Sequence, residues 1–194
     1  MRKVILSTHV TLDGFACGPN GELDWHFENW NDEMEEYVNK QTENVDTILV
    51  GRVTYEGMAA HWPKVVHNPD ARRKDIEFAW LMNTLPKVVF SKTLKKAEWN
   101  NSRVVHNNIS EEIFRLKRQP GNDMIMWGGV NIVQTFIQRR LIDEYNIWVA
   151  PVILGVGKPL FKDVQKLDLI LTQSVTFSNG VVLFTYVPTI KNYN

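Results

Sequence analysis

Residues 46–56 read Asp-Thr-Ile-Leu-Val-Gly-Arg-Val-Thr-Tyr-Glu, and the fold turns on how they are parsed. Asp46–Val50 is a short apolar run that stops at Gly51, the pattern of a strand buried on both faces of a parallel sheet. Past the glycine, Val53–Ala60 predicts a short helix, followed by a turn at His61-Trp62-Pro63. A strand that meets glycine and then a helix is half of a βαβ crossover.

The same grammar recurs outward in both directions. Met124–Trp127 predicts a strand running into Gly128-Gly129, then an amphipathic helix over Val130–Arg139 with Val133, Phe136 and Ile137 inward. Pro86–Ser91 predicts another strand, and Arg103–His106 a weaker one. Near the start, Val4, Leu6, Thr8 and Val10 alternate with Ile5, Ser7 and His9, which predicts a first strand to about Leu12. The Gly-, Pro- and Asn-rich stretch that follows, Asp13–Glu22, is a loop too long for a plain connection, and such loops tend to be functional. A helix is predicted from Asn31–Asp32, with Met34, Tyr37 and Val38 as its apolar stripe and Asp32-x-x-Glu35 as a capping box.

Pro69–Leu81 predicts a helix capped by Asn68 or Asp70. A further helix opens at Ser110 and is stopped by Pro120-Gly121, and Glu144–Pro151 is a strand. Leu169–Phe177 and Val181–Val187 flank Ser178-Asn179-Gly180, where Asn-Gly predicts a tight two-residue hairpin. This order predicts one α/β domain over residues 1–194, with a mostly parallel central sheet flanked by helices and an antiparallel C-terminal hairpin.

Composition narrows the function. With 44% hydrophobic and 23% charged residues the chain is an ordinary globule. Its 22 basic and 22 acidic side chains cancel, which argues against a nucleic-acid partner. A single cysteine, Cys17, excludes an internal disulfide framework and a Cys-rich zinc site. The five histidines form no i, i+4 pair, so no metal site is expected. No apolar run approaches the ~20 residues of a membrane span, and the start carries no signal-peptide pattern. A cytoplasmic location is expected. Charge is uneven: residues 1–66 hold 5 basic and 11 acidic side chains, and residues 67–120 hold 11 and 6. Such an imbalance arises from solvated loops and helix faces that merely differ in charge, or from an acidic front and a basic middle facing the two ends of an anionic cofactor–substrate pair.

Three strand ends carry small or polar residues where an open α/β sheet would put a phosphorylated ligand. An open α/β sheet binds ligands outside the carboxyl ends of its strands. Gly51, Arg52 and Thr54 place free backbone N–H groups, a guanidinium and a hydroxyl at one helix start. Ser91 and Lys92 supply a hydroxyl and an ammonium at a second strand end. Gly128, Gly129, Val130, Asn131 and Ile132 let backbone lie against a ligand at a second helix start. Together they point to a dinucleotide carrying a pyrophosphate and one further phosphate. G-x-G-x-x-G and G-x-x-x-x-G-K-[ST] are both absent, so another binding scheme is required.

Four motifs carry a family resemblance: Thr-Leu-Asp-Gly (11–14), Gly-Arg-x-Thr-Tyr-Glu (51–56), Val-Phe-Ser-Lys (89–92) and Trp-Gly-Gly-x-x-Ile (127–132). In this order and spacing the chain resembles the dihydrofolate reductase-like superfamily. It is most similar to stand-alone relatives of the riboflavin-biosynthesis reductase domain, through residues 12–25, Leu-x-Asp-Glu (141–144) and Leu-Gly-x-Gly-Lys-Pro-Leu-Phe (154–161). The resemblance covers nearly the whole chain and implies an NADPH-dependent reductase. It implies that Gly51, Arg52 and Thr54 hold cofactor phosphates, and that Ser91 and Lys92 meet the adenosine 2′-phosphate. Gly128 to Ile132 would face the pyrophosphate and nicotinamide, with a cis Gly128–Gly129 bond admitted. The loop from Asp13 to Trp25 would close over the nicotinamide, with Asp13, Gly14, Trp25 and His26 on the substrate side.

Two departures limit what the resemblance implies. The riboflavin enzyme joins its reductase to a zinc deaminase with an H-x-E…P-C-x-x-C signature, which this chain lacks. Dihydrofolate reductases place one carboxylate on the helix after the loop. Here Asp32 and Glu36 face solvent, while Glu33 and Glu35 flank the apolar stripe. Glu35 lies nearest the family position and is the candidate acid, although acids in a first helical turn also stabilise the helix dipole and do nothing more. Trp62, Trp80, Trp99 and Trp148 read as core or interface residues.

The reading is therefore a reductase moving hydride from NADPH to a C=N or C=O group of a small heterocyclic or sugar-linked substrate. The alternative is a non-catalytic nucleotide-binding protein that keeps the scaffold. A homodimer is expected by resemblance, through the apolar strand Ile147–Leu154 and the Gly-Lys-Pro-Leu-Phe segment.

Overall fold

The computed structural model describes residues 1–189. In chain order the first half contains β1 (Val4–Thr11), β2 (Phe15–Cys17), α1 (Asp24–Glu28), α2 (Asp32–Thr42), β3 (Val45–Gly51), α3 (Arg52–Val65), α4 (Arg73–Thr84) and β4 (Lys87–Phe90). The second half contains β5 (Ser102–Val105), α5 (Ile109–Lys117), β6 (Asp123–Met126), α6 (Val130–Gln138), β7 (Glu144–Ala150), β8 (Lys158–Pro159), β9 (Leu169–Thr176) and β10 (Val182–Pro188). Eight strands form one sheet in the order β5-β4-β3-β6-β1-β7-β10-β9. The six strands from β5 to β7 pair in parallel, and β10 and β9 add the antiparallel hairpin.

Alternation explains why the central strands read as unbroken apolar runs. Leu49 of β3 joins Leu6, Val88 and Met126 under α5 and α6, where Ile113, Leu116, Val133, Phe136 and Ile137 cover them. Ile48 and Val50 point the other way and pack with Val89, Ile125, Tyr55 and Met82 under α3 and α4. Further along that second face, α2 sets Met34 and Val38 on Trp148, Leu183 and Phe177. Phe78 and Trp127 pack against both of these clusters. Each buried aliphatic side chain contributes roughly 1.5–3 kcal/mol relative to exposure.

Several boundaries differ from the sequence reading. Helix α3 runs through His61-Trp62-Pro63 to Val65. Pro63 sits in its last turn, where the missing N–H forfeits one backbone bond just before the helix ends anyway. Helix α4 begins at Arg73 instead of Pro69, because the Asn68 side chain accepts from Asp70 N–H (3.1 Å) and holds that stretch as a turn. The cap of α2 is Asn31, which accepts from Met34 N–H (3.0 Å), not Asp32.

The C-terminal hairpin loop has three residues rather than two. Phe177 N–H bonds to Val181 O and Gly180 N–H to Phe177 O, both at 2.9 Å. Only Gly180 takes positive φ (+85°), the signature of a turn closed by a glycine bulge. Freed from the left-handed region, Asn179 reaches across to the Asn29 carbonyl (2.6 Å).

The long loop after β1 is also more structured than expected. It holds β2, which pairs with β8 as a small antiparallel ribbon, and then α1. No cis peptide bond occurs among the described residues, so Gly128–Gly129 is trans. Strand β7 lies between β1 and β10 and cannot offer an edge to a second copy. The two edges of the sheet are β5 and β9.

Candidate functional site

The parallel strands direct their carboxyl ends to one edge of the sheet, and the three predicted strand ends meet there. β3 lies between β4 and β6, with Gly51 in register with Phe90 and Leu49 with Met126. Gly51 and Gly129 are the N-cap residues of α3 and α6, both in extended backbone. A Cβ on Gly51 would stand 2.8 Å from Ile132 Cγ2, and one on Gly128 would stand 3.0 Å from the same atom. One on Gly129 would meet Thr54 Oγ1 at 3.5 Å. The two helix starts therefore approach each other closely, with the Ile132 side chain packed against Gly51 and Gly128. Neither helix has an acidic residue in its first turn, which leaves the N–H ends of both dipoles uncompensated.

The β4 end adjoins them. Ser91 follows Phe90, and its Oγ accepts from Thr93 N–H (3.1 Å) and Leu94 N–H (2.9 Å), which folds the chain back after the strand. His106, beyond β5, bonds through Nδ1 to the Ser91 carbonyl (2.9 Å). Lys92 is exposed. Arg52 is held by Glu56 at 2.8 Å, an exposed pair one helical turn apart. Thus Gly51, Arg52, Thr54, Ser91, Lys92 and Gly128 to Ile132 all lie on one edge.

On the second face of the sheet the same edge opens into a cleft. β1 lies inside the sheet, yet His9 near its end is only half-buried, so the helical layer has a gap above it. The His9 ring stacks on Trp148 (centroids 5.3 Å, planes 14° apart), its partner in register on β7. His26 of α1 meets His9 edge-on at 4.2 Å, and Trp30 leans on both rings at 5.6 Å. Below, Trp148 Nε1 donates to Ser7 Oγ (3.0 Å). Burial pulls the His9 pKa well below the ordinary histidine value, helped by repulsion from His26, and burial lowers His26 too. Trp25 is buried, and its Nε1 and His26 Nδ1 have no hydrogen-bond partner among the described residues.

Two of the predicted substrate-side residues serve the loop itself. The Asp13 carboxylate accepts from Thr11 Oγ1 (2.6 Å), Gly155 N–H (2.8 Å) and Leu154 N–H (3.2 Å). The Thr11 hydroxyl foremost, with these amides, holds its pKa below the usual range despite some desolvation. Gly14 turns the chain at φ +84°, and its carbonyl accepts from Leu160 N–H (3.0 Å). Together they clasp the loop after β1 to the segment after β7. Asp13 and Gly14 therefore brace the loop beside the site.

The acids of α2 are likewise engaged. Glu35, whose side chain is 12% exposed, lies 3.1 Å from both Arg72 and Lys74. Asp32 pairs with the same two cations, Glu33 accepts from Ser178 N–H (2.9 Å), and Glu36 pairs with Lys40. Sequence reasoning missed His9 and Trp30 as members of the ring cluster. For His9 the signal was present in the strand alternation, which places it on one face with Ser7 and Thr11.

An open depression of about 620 Å³ lies at the opposite, amino-terminal edge of the strands, lined by Met1, Arg2, Lys117, Arg118 and neighbours. Its inner cations are consumed by the fold: Arg2 bonds Asp46, Thr47 Oγ1 and the Asn122 carbonyl, and Lys117 pairs with Asp143 at 2.5 Å. It is not the candidate site.

Among the described residues no helix is long and apolar enough to cross a membrane. Residues 2–183 match the model of the RibD C-terminal domain. The YyaP protein of Bacillus subtilis (strain 168) is 38% identical over 186 residues, covering 95% of this chain and 94% of its own. A putative riboflavin biosynthesis protein from Shewanella sp. PV-4 superposes with a TM-score of 0.73 at 24% identity, covering 96% and 99% of the two chains. Dihydrofolate reductase from Enterococcus faecalis, solved with NADP(H), superposes at 0.60 with 15% identity over 96% of each chain. The chain belongs to the RibD C-terminal domain family and has the dihydrofolate reductase-like fold.

Proposed function

We propose that the protein is an NADPH-dependent oxidoreductase that reduces a C=N or C=O group of a small heterocyclic or sugar-linked substrate. The observation that carries this reading is the meeting of two helix starts across Gly51, Gly128 and Gly129. A Cβ at either of the first two would press on Ile132, so glycine is what lets the two helix starts and their backbone N–H groups come this close. Such a cradle fits a pyrophosphate. In this reading Gly51, Arg52 and Thr54 hold phosphate, with Arg52 released from Glu56. Gly128, Gly129, Val130, Asn131 and Ile132 lie along the pyrophosphate and nicotinamide, and Ser91 and Lys92 meet the 2′-phosphate. The bound cofactor supplies hydride. The chain's own part is to orient it, and to exclude water with the clasped loop and the aromatic wall of Trp25, His26 and Trp30.

NADPH titration tests the reading: tryptophan fluorescence is expected to quench at sub-millimolar cofactor, and an unchanged signal would remove its basis. Lys92→Glu is expected to weaken NADPH far more than NADH, because only the former carries the 2′-phosphate. Equal losses would take Lys92 out of that site.

A non-catalytic scaffold protein is the second reading, favoured by the engagement of every α2 acid with a partner. NADPH bound but not consumed across pterins, flavin precursors and quinones would select it. A homodimer is proposed through Ile153, Val156 and Phe161, which are 74%, 62% and 52% exposed beyond β7. Sedimentation at the monomer mass would refute it.

A further inference from the structure

A reduction of C=N or C=O needs a proton as well as a hydride, and α2, where the resemblance looks for the acid, has none to spare. Glu35 and Asp32 are held by Arg72 and Lys74, and Glu33 by Ser178 N–H. The floor of the cleft carries ionisable groups instead. His9 projects from the middle of the sheet into the gap that the second face leaves above β1. Its ring nitrogens have no hydrogen-bond partner among the described residues. It is flattened against Trp148 and met edge-on by His26, so its plane is fixed by packing rather than by a polar partner. A half-buried imidazole held by ring packing, with nitrogens that no protein group occupies, is left available to bond a substrate atom.

We infer that His9 is the proton donor of the reaction and that His26 is the positioning residue that governs its charge. This rests on the reductase reading. The hydride comes from the reduced nicotinamide, which is oxidised as the substrate is reduced. As the new C–H bond forms, the π pair passes to the substrate nitrogen or oxygen. That atom takes the proton from the His9 imidazolium, which is left as neutral imidazole and recharged from solvent at the cleft mouth.

The groups in contact with His9 are few: β7 presents Trp148, α1 presents His26, and Trp30 follows α1. On α2, Tyr37 packs on Trp148 with its hydroxyl turned to Gln173 (3.4 Å). His26 is thus the titratable neighbour acting on His9, and a second proton on the pair is opposed by the first. An imidazolium that is scarce but strongly acidic suits protonation of a weakly basic C=N or C=O. The rate is therefore expected to fall as pH rises through neutrality.

The test uses the whole protein with two readouts. Histidine ring-proton NMR titration should find His9 protonating below the ordinary histidine range, and moving to higher pH in His26→Gln. An unmoved His9 would overturn the coupling. NADPH consumption is then followed between pH 5 and 8 with 7,8-dihydropterin as the C=N probe and 9,10-phenanthrenequinone as the C=O probe. His9→Phe and His9→Gln should each lose about a hundredfold or more in rate, with NADPH affinity by fluorescence unchanged. A rate retained in both variants would overturn the assignment of His9. If the wild type binds no NADPH, or binds it and reduces neither probe, the reductase reading itself falls and the inference with it.

Discussion

The two halves of the candidate site are built from different materials. The half formed by the ends of β3, β4 and β6 is mostly backbone: Gly51, Gly128 and Gly129 matter for the side chains they lack, and Ile132 fills the space behind them. The half over β1 and β7 is almost entirely side chain, with His9, His26, Trp30 and Trp148 in mutual ring contact. In the proposed reading the backbone half takes the phosphate chain of the cofactor, and the half built of rings and imidazoles takes the substrate.

Substitutions at each half should fail in different ways. Gly51→Ala is expected to have the largest effect, a loss of about 1–3 kcal/mol in denaturant unfolding from overpacking against Ile132, together with weaker NADPH binding. Adding Ile132→Ala should recover part of that loss, a coupling of about 1 kcal/mol that independent sites would not show. On the other half, Ser7→Ala leaves the buried Trp148 Nε1 without its acceptor. A cost of about 1–2 kcal/mol is expected, with cofactor affinity intact. If Ser7→Ala weakened NADPH as much as Gly51→Ala does, the division into halves would be wrong.

Smaller effects should separate bracing from chemistry. The folded Asp13 pKa lies below its unfolded value, so its contribution to stability is present above the ordinary aspartate range near ~3.9 and fades as pH falls through the folded value. Asp13→Asn should flatten that acid limb in urea melts recorded from pH 2 to 6, and hydrogen exchange at Leu154 and Gly155 should rise. The least change is expected from Glu35→Gln. Its cation partners Arg72 and Lys74 are solvent-exposed and can rehydrate, so stability should move by less than about 1 kcal/mol. NADPH consumption should hold, whereas a large loss of rate would return the acid to α2.

Much of this was legible in the sequence, for identifiable reasons. Asp46–Val50, Met124–Trp127 and their glycines follow from burial on both faces of a parallel sheet, so composition alone marks them. Asn179-Gly180 marks the turn but not its length, because one further residue in the loop is decided by the bond from Phe177 to Val181. Helix α3 outruns its predicted end because Trp62 packs under Phe78, a tertiary contact that outweighs the proline. The glycine half was readable because it is written in residue types: a glycine between an apolar strand and a helix bares backbone N–H groups wherever the helix then points. The cleft floor was not, because a strand histidine looks the same whether solvent, core or ligand lies in front of it. Only the order β6-β1-β7 places His9 at the sheet centre beneath a gap.

The central claim is that the carboxyl-terminal edge of the parallel strands is one dinucleotide cradle. Backbone amide NMR during an NADPH titration tests it most directly. Shifts should concentrate at residues 51–54, 91–92 and 128–132, with Lys117 to Gly121 on the far edge unmoved. Saturable shifts centred on that far edge, or none at millimolar cofactor, would contradict it.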